Sequence, residues 1–162
     1  DRDGWFHTGD AGYLKDSHLY LTERIKDLFK TSNGKYISPQ ALETKLAIDR
    51  YIDQIAVIAD ERKFVSALIV PVYGFVKDYA KEKGIAYSNM DELLQHPKIQ
   101  ALFRARIDTL QQQFAHYEQV KRFTLLTEPF SMERGELTNT LKLKRSVVAK
   151  NYKGLIDKMY EE

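Results

Sequence analysis

Two almost uninterrupted apolar runs, at residues 55–59 and 64–72, constrain the fold of this chain more than any other feature. Only a charged turn at residues 60–63 separates them. Short runs of this kind, bounded by a polar turn, are typical of strands that are buried on both faces. We therefore expect the two runs to form the core sheet of the domain.

Helices are expected to cover this sheet. Ser38 and Pro39 provide an N-cap and a first-turn proline for one helix. Residues 73–83 suit a second helix, which Gly84 ends. Residues 88–94 suit a short third helix, because they begin with a Ser-x-x-Asp capping box.

The longest helix is expected to start at Pro97. Its apolar residues recur at intervals of mostly three and four, which is the pattern of one buried helical face. They are Ile99, Leu102, Phe103, Ile107, Leu110, Phe114 and Tyr117. The three glutamines at residues 111–113 are expected to face mostly water.

Shorter elements are expected at both ends of the chain. Residues 11–14 and 18–21 favour a small hairpin, and since two short strands rarely persist alone, it should belong to a preceding domain or pair with another copy. Residues 122–126 favour a strand, and residues 140–150 and 152–160 favour helices. The predicted fold class is α+β: a small mixed β-sheet covered by helices, with an N-terminal β-hairpin remnant of a preceding domain.

Composition excludes several kinds of function. With 25 basic and 23 acidic side chains, the net charge is only +2, so the chain lacks the overall field that drives non-specific nucleic-acid binding. Without cysteine and with four scattered histidines, a thiol nucleophile, a disulfide and a Cys or His metal site are not expected. No apolar run approaches the roughly 20 residues that span a membrane. A reducing cytoplasmic setting fits these features.

Two motifs carry most of the functional information: FHTGD at residues 6–10 and TERIKDLFKTSNGKYISPQALE at residues 22–43. Together they resemble the ribose-binding aspartate and the interdomain hinge of adenylate-forming ligases, most closely AMP-forming long-chain fatty acid–CoA ligases. The resemblance implies that residues 1–24 end a large adenylation domain and its hinge, and that residues 25–162 form a C-terminal mobile lid domain. It also implies ATP, Mg²⁺, coenzyme A and a fatty acid as reactants of the whole enzyme, and an inactive fragment when the lid is alone.

Asp10 and Arg24 are the candidate nucleotide-binding residues. A carboxylate in a Thr-Gly-Asp turn can accept two hydrogen bonds from vicinal ribose hydroxyls, and the resemblance gives Asp10 that role. Alone, the tripeptide would indicate only a turn at a strand end. Arg24 corresponds to an arginine that contacts the nucleotide from the hinge side, whereas without the motif it would be a solvated surface arginine.

The resemblance also implies a hinge and a coenzyme A loop. Lys26 lies at the hinge position, where a large change in φ and ψ is absorbed during domain rotation. Asn33 and Gly34 lie where the family often has Gly-Gly, in a loop that lines the passage for the pantetheine arm. Asparagine tolerates the left-handed region, so the loop shape is expected to survive. Lys35 is a candidate phosphate contact or a solvated turn lysine.

A basic segment near the C-terminus, RGELTNTLKLKR at residues 134–145, holds the candidate catalytic lysine. The superfamily usually has a Gly-Lys pair here, but Glu136 follows Gly135 in this chain. The segment resembles the long-chain branch, which makes Lys142 the candidate and Lys144 the alternative. On the predicted helix their side chains would diverge by roughly 200°, so one lysine is expected to act.

Two other interpretations remain open. One is the lid of another acid-activating adenylate-forming enzyme, such as one specific for aryl or amino acids. The other is a small basic module that binds nucleic acid or protein. The basic residues of the last helices could instead contact the phosphates of coenzyme A or an anionic membrane surface: Lys142, Lys144, Arg145, Lys150 and Lys153.

Overall fold

A computed structural model describes residues 2–161, apart from the side chains of Thr22, Glu23, Arg24 and Lys26. The chain begins with an antiparallel hairpin of β1 (Asp10–Lys15) and β2 (His18–Arg24), which is longer than predicted. The ring centroids of Tyr13 and Tyr20 stack 5.2 Å apart across it. Large apolar side chains of this region face solvent: Trp5, Phe6, Leu14, Leu19 and Leu21.

A short 3-10 turn, Ile25–Asp27, leads from the hairpin to a second, smaller ribbon. In it β3 (Phe29–Lys30) pairs antiparallel with β4 (Tyr36–Ile37). The two strands lie on either side of the Asn-Gly turn. Ile37 is fully buried, so the ribbon is attached to the main core.

The first helix and the central strands confirm the sequence interpretation. Helix α1 (Pro39–Leu46) starts at the predicted proline. It is followed by β5 (Ile52–Ile58) and β6 (Val65–Pro71), which pair antiparallel. All seven residues of β6 are buried, which explains why its sequence is apolar without alternation.

Three helices follow: α2 (Tyr73–Glu82), α3 (Met90–Gln95) and α4 (Pro97–Leu110). The predicted capping box of α3 is displaced by one residue. Asn89, not Ser88, is the N-cap, and its Oδ1 accepts a hydrogen bond from Glu92 N at 2.9 Å. The Glu92 carboxylate in turn accepts a hydrogen bond from the Ser88 N–H at 2.7 Å. The side chains of Asn89 and Glu92 thus each satisfy a backbone N–H at the start of the helix.

The longest helix, α4, is shorter than predicted, and Gln111 does not face water. The next strand, β7 (Val120–Leu125), needs partners for its first backbone groups. The Gln111 amide supplies them: its Oε1 accepts from Val120 N at 2.8 Å and its Nε2 donates to Val120 O. Only 3% of Gln111 is exposed, so the prediction for this residue was wrong.

The core sheet has the order β5–β6–β7 and is mixed, because β7 runs parallel to β6. Helices α1 and α4 cover one face, where Val57 and Ile69 are buried. The last two helices, α5 (Arg145–Asn151) and α6 (Lys153–Lys158), cover the other face, where Leu68 and Val70 are buried. The predicted α+β class is thus confirmed.

The helix predicted at residues 140–150 is wrong over its first half. Leu137 and Leu143 form an antiparallel bridge, and Leu141 between them has a φ of 60°, which no α-helix contains. Residues 137–143 therefore form a narrow turn, called the lysine hairpin below, and α5 starts only at Arg145. Within the described residues, no helix is both long and apolar enough to cross a membrane.

Candidate functional site

The first hairpin places Asp10 directly opposite Arg24. Asp10 opens β1, Arg24 closes β2, and the two are paired in the register of the hairpin. A β-bulge between Ala11 and Gly12 shifts the pairing next to them. Asp10 is half-buried, and its N–H donates to Thr8 Oγ1 at 3.2 Å. The two residues that were predicted separately therefore occupy one cross-strand position.

The Thr-Gly-Asp turn is tied to the hinge by a backbone hydrogen bond. Gly9 has a φ of 79°, a conformation that favours glycine. Its carbonyl accepts the N–H of Ile25 at 2.8 Å. Because Ile25 immediately precedes Lys26, the ribose motif and the hinge motif form one local structure. The side chains of Arg24 and Lys26 lie outside the described part of the structure, so their roles stay predictions.

The loop that was predicted to contact coenzyme A, called the coenzyme A loop below, is closed by Thr31 and Lys35. Thr31 is buried, its N–H donates to Lys35 O at 2.9 Å, and its Oγ1 accepts the Lys35 N–H at 3.1 Å. Gly34 carries the positive φ of the turn, 75°, and no heavy atom lies within 4 Å of where its Cβ would be. Asn33 is not among the residues with positive φ. The asparagine therefore fits without using its tolerance of the left-handed region.

The same loop is held by the turn at residues 60–63, between β5 and β6. Ser32 N donates to Arg62 O at 3.0 Å, and Asn33 Nδ2 reaches Lys63 O at 3.4 Å. Glu61 N donates to Lys30 O at 2.9 Å. Backbone and amide contacts thus fasten the loop to the turn that joins β5 and β6.

Two exposed tyrosines, Tyr36 and Tyr117, lie next to the loop, and the prediction of Tyr117 on the buried face of the longest helix was wrong, because α4 ends at Leu110. Lys30 Nζ lies 5.9 Å from the ring centroid of Tyr36, its cross-strand partner. Lys35 Nζ lies 5.6 Å from the ring centroid of Tyr117. Cation–π contacts of this kind restrain the lysine side chains near the surface of the ring. The pair with Tyr117 joins residues far apart in sequence, so no local pattern could have predicted it.

Lys142 and Lys144 both lie on exposed backbone, but in different positions on the lysine hairpin. Lys142 lies on the returning arm, directly after the turn of residues 138–141, where its N–H donates to Thr138 Oγ1 at 3.0 Å and its carbonyl accepts from Thr138 N at 2.8 Å. Lys144 is at the base, as the N-cap of α5, and its N–H donates to Glu136 O at 2.7 Å. The 200° divergence predicted for two lysines on a helix does not apply, because this segment is not helical. The two lysines are nevertheless held in different places, since Lys144 is the N-cap of α5.

Glu136 is fully buried at the base of the lysine hairpin. Its carboxylate accepts hydrogen bonds from Arg134 Nε at 3.1 Å, Asn151 Nδ2 at 3.1 Å and Ser131 N at 3.0 Å. Burial by itself raises the pKa of Glu136, but these hydrogen bonds and the charge of Arg134 outweigh it, so the pKa lies below its usual value. The departure from Gly-Lys therefore places a buried structural carboxylate where the family usually has a lysine.

A bidentate ion pair joins the other end of the lysine hairpin to α1. Arg145 Nη1 and Nη2 donate to Glu43 Oε1 and Oε2 at 2.5 and 2.6 Å. Glu43 Oε1 also accepts the N–H of Val57 at 2.8 Å. The pair spans 102 residues, so neither charge could be distinguished in the sequence from an ordinary surface residue. Arg145 is thus a structural member of the basic segment.

The structure places the candidates in two groups with different neighbours. Asp10, Arg24 and the hinge form the first hairpin and its end, while the coenzyme A loop rests on residues 60–63. The lysine hairpin lies beside a cavity of about 340 Å³ between α1 and β5, which Glu43, Gln54 and Leu141 help to line. The described residues contain no group of three or more His, Cys, Asp or Glu that could hold a metal ion.

Comparisons with known proteins agree with this arrangement. A family model described as the AMP-binding enzyme C-terminal domain matches residues 26–162. The chain is 36% identical over 166 residues to long chain acyl-CoA synthetase 7, peroxisomal, of Arabidopsis thaliana, covering 100% of the chain and 24% of that protein. It is also 36% identical over 168 residues to long-chain-fatty-acid–CoA ligase 5 of Rattus norvegicus, covering 99% of the chain and 24% of that protein.

The chain thus spans about a quarter of the length of the curated relatives it matches. Among solved structures, the A domain of carboxylic acid reductase from Segniliparus rugosus, in complex with AMP and a co-purified carboxylic acid, shares the fold. The TM-score is 0.78 at 22% identity, and the match covers 99% of this chain and 24% of that one. Since the family model matches most of its length, this chain belongs to the family of AMP-binding enzyme C-terminal domains.

Proposed function

We propose that the protein carrying this chain is an AMP-forming long-chain fatty acid–CoA ligase, and that the chain supplies its mobile lid. The relatives at 36% identity are named long-chain acyl-CoA synthetase and long-chain-fatty-acid–CoA ligase. The observation that carries the proposal is the register of the first hairpin, in which Asp10 and Arg24 are opposite each other. A ribose contact and a nucleotide contact would then come from one rigid position.

In the first half-reaction, a carboxylate oxygen of the fatty acid attacks the α-phosphorus of ATP, and pyrophosphate leaves. Asp10 would accept hydrogen bonds from the ribose hydroxyls, and Arg24 would contact the nucleotide. Lys142 would bridge the acid and the α-phosphate, where negative charge increases in the transition state. Its exposed position on the lysine hairpin, directly after the turn, supports this role, and Lys144 remains the alternative.

In the second half-reaction, the sulfur of coenzyme A attacks the acyl carbonyl, and AMP leaves. The lid would rotate about Lys26. This rotation would remove the lysine hairpin from the site and bring in the loop of Asn33, Gly34 and Lys35. Two features support this exchange. The loop is fastened to the core sheet at residues 60–63, and the open space around Gly34 leaves room for a pantetheine arm.

The division into residues 1–24 and 25–162 is part of this proposal. Residues 1–24 would pack on a large preceding domain, which would account for the exposed apolar side chains of the first hairpin. The same surface would pair with another copy if that domain were absent. Residues 25–162 would turn as one unit beyond the hinge.

ATP, coenzyme A and Mg²⁺ would be bound mainly outside this chain. Magnesium prefers carboxylate and phosphate oxygens, and the described residues offer no cluster of metal ligands. When bound with ATP, the ion would neutralise charge on the phosphates. The acyl pocket would also be outside the lid, so the chain length of the acid is set elsewhere.

A second candidate function is activation of another carboxylic acid by the same adenylating chemistry. The carboxylic acid reductase domain from Segniliparus rugosus, which shares the fold at a TM-score of 0.78, contains AMP and a co-purified carboxylic acid. A basic module that binds a polyanion is less well supported. Of the five basic residues at the end of the chain, Arg145 is paired with Glu43 and Lys153 with Asp157.

The proposal is tested by supplying the full-length protein with palmitate, ATP, Mg²⁺ and coenzyme A, and following palmitoyl-CoA and AMP by mass spectrometry. We expect both products from the full-length protein and no thioester from residues 1–162 alone. A preference for benzoate or an amino acid would favour the second candidate. Absence of both acyl-AMP and thioester from a folded full-length protein would contradict the proposal.

We also expect a cytoplasmic enzyme with peripheral membrane contact.

A further inference from the structure

Glu136 is chemically unusual for its surroundings. It is 0% exposed, yet it follows Gly135 in the segment that connects β7 to α5. An ionised carboxylate is costly to bury unless hydrogen bonds satisfy it. Here Arg134, Asn151 and Ser131 N satisfy it, and its lowered pKa agrees with a carboxylate that stays ionised at neutral pH.

The backbone connects this buried carboxylate directly to the lysine hairpin. Glu136 O accepts the N–H of Lys144, and the next residue, Leu137, bridges to Leu143. One step further, Thr138 Oγ1 accepts the N–H of Lys142. Three successive cross-connections therefore lead from Glu136 to Lys142.

We propose that Glu136 is a positioning residue, which fixes the base of the lysine hairpin and thereby the place of the Lys142 ammonium during adenylate formation. This inference rests on the proposed function for its catalytic consequence. Lys142 is exposed on the returning arm of the lysine hairpin, so the placement of its side chain depends on the backbone that carries it. A small displacement of a charge that stabilises a transition state strongly lowers the reaction rate.

The chain offers a matched control for Glu136. Glu128 also pairs with Arg134, at 3.2 Å, but 73% of its side chain is exposed and it does not contact the lysine hairpin in the described structure. Glu128→Ala removes a carboxylate from the same arginine and leaves the hairpin base intact. Glu136→Gln keeps the side-chain shape and one oxygen acceptor, whereas Glu136→Ala removes both.

The first test follows amide hydrogen exchange in the 162-residue chain by NMR. We expect Glu136→Ala to raise exchange at the Lys142 and Lys144 amides about tenfold or more, because their acceptors lose their fixed position. Glu136→Gln should have a smaller effect, and Glu128→Ala almost none. Unchanged exchange at these two amides, or an equal rise throughout the core strands, would overturn the proposal.

The second test uses the full-length protein and a double-mutant cycle. Glu136→Ala should lower kcat for acyl-AMP formation and spare thioester formation from supplied acyl-AMP. In a Lys142→Ala background it should cause little further loss, because both changes remove the same interaction. Independent, multiplying losses, or equal losses in both half-reactions, would mean a merely structural role. If the wild-type protein forms no adenylate, the proposed function fails, and amide exchange still decides the positioning role.

Discussion

Asp10 and Arg24 are cross-strand partners at the open end of the first β-hairpin, beside a bulge at Ala11 and Gly12. The bulge matters because it sets which residue of β2 lies opposite the aspartate. At Gly12, an added Cβ would lie 2.5 Å from the backbone oxygen of Tyr20, closer than any carbon and oxygen can pack. The pairing of Asp10 with Arg24 therefore depends on a glycine two residues along the strand.

Gly12→Ala should separate Asp10 from Arg24 without removing either side chain. The clash with Tyr20 O forces the strands apart, and we expect the KM for ATP of the full-length protein to rise about tenfold to a hundredfold. The control is Gly74→Ala in α2, where no heavy atom lies within 4 Å of the added Cβ. An unchanged KM for ATP in Gly12→Ala would show that the hairpin register does not organise the nucleotide contacts.

Arg145→Ala should destabilise the lid by breaking the pair with Glu43. Glu43 keeps only 15% exposure and would lose its charged partner, which costs about 3 kcal/mol, at the lower end of the range for buried pairs. Urea denaturation of the 162-residue chain measures the change in the free energy of unfolding. Lys83→Ala breaks a more exposed pair with Glu82 and should cost clearly less. Equal effects of the two changes would contradict a structural role for Arg145.

Acid should weaken the chain partly through Glu136. Its pKa in the folded chain lies below the usual value of 4.5, so the unfolded chain binds the proton more tightly. The stability that Glu136 contributes is present above pH 4.5 and is lost as the pH falls through the folded pKa. Denaturation between pH 7 and pH 3 should show the gap between wild type and Glu136→Gln narrowing below about pH 4.5. A gap that stays constant would contradict this assignment.

The sequence predicted the central strands and the start of α4 because those features are local. β6 is buried on both faces, and burial favours apolar residues along the strand. Pro97 marks the start of a helix by itself. Gln111 was misplaced because its amide bonds the backbone of Val120, nine residues away. An amphipathic pattern cannot show that a polar side chain caps a strand.

For the candidate site, the motifs located Asp10 and the Asn33–Gly34 loop, but the lysine hairpin was taken for a helix. Its leucines and Lys142 are compatible with a helix, and the Leu137–Leu143 bridge, the hydrogen bonds of Thr138 and the positive φ of Leu141 exclude one. The pairing of Glu43 with Arg145 depends on the tertiary fold. A single sequence contains no signal for it.

The account's central claim is that one lid presents different groups to two successive reactions. It is tested most directly by Lys142→Ala in the full-length protein, with both half-reactions measured separately and Lys144→Ala as the matched control. We expect Lys142→Ala to lower the rate of acyl-AMP formation about a hundredfold or more, and to leave thioester formation from supplied acyl-AMP nearly unchanged. Lys144→Ala should affect neither strongly. Equal loss of both half-reactions in Lys142→Ala, or the selective loss in Lys144→Ala instead, would contradict the assignment.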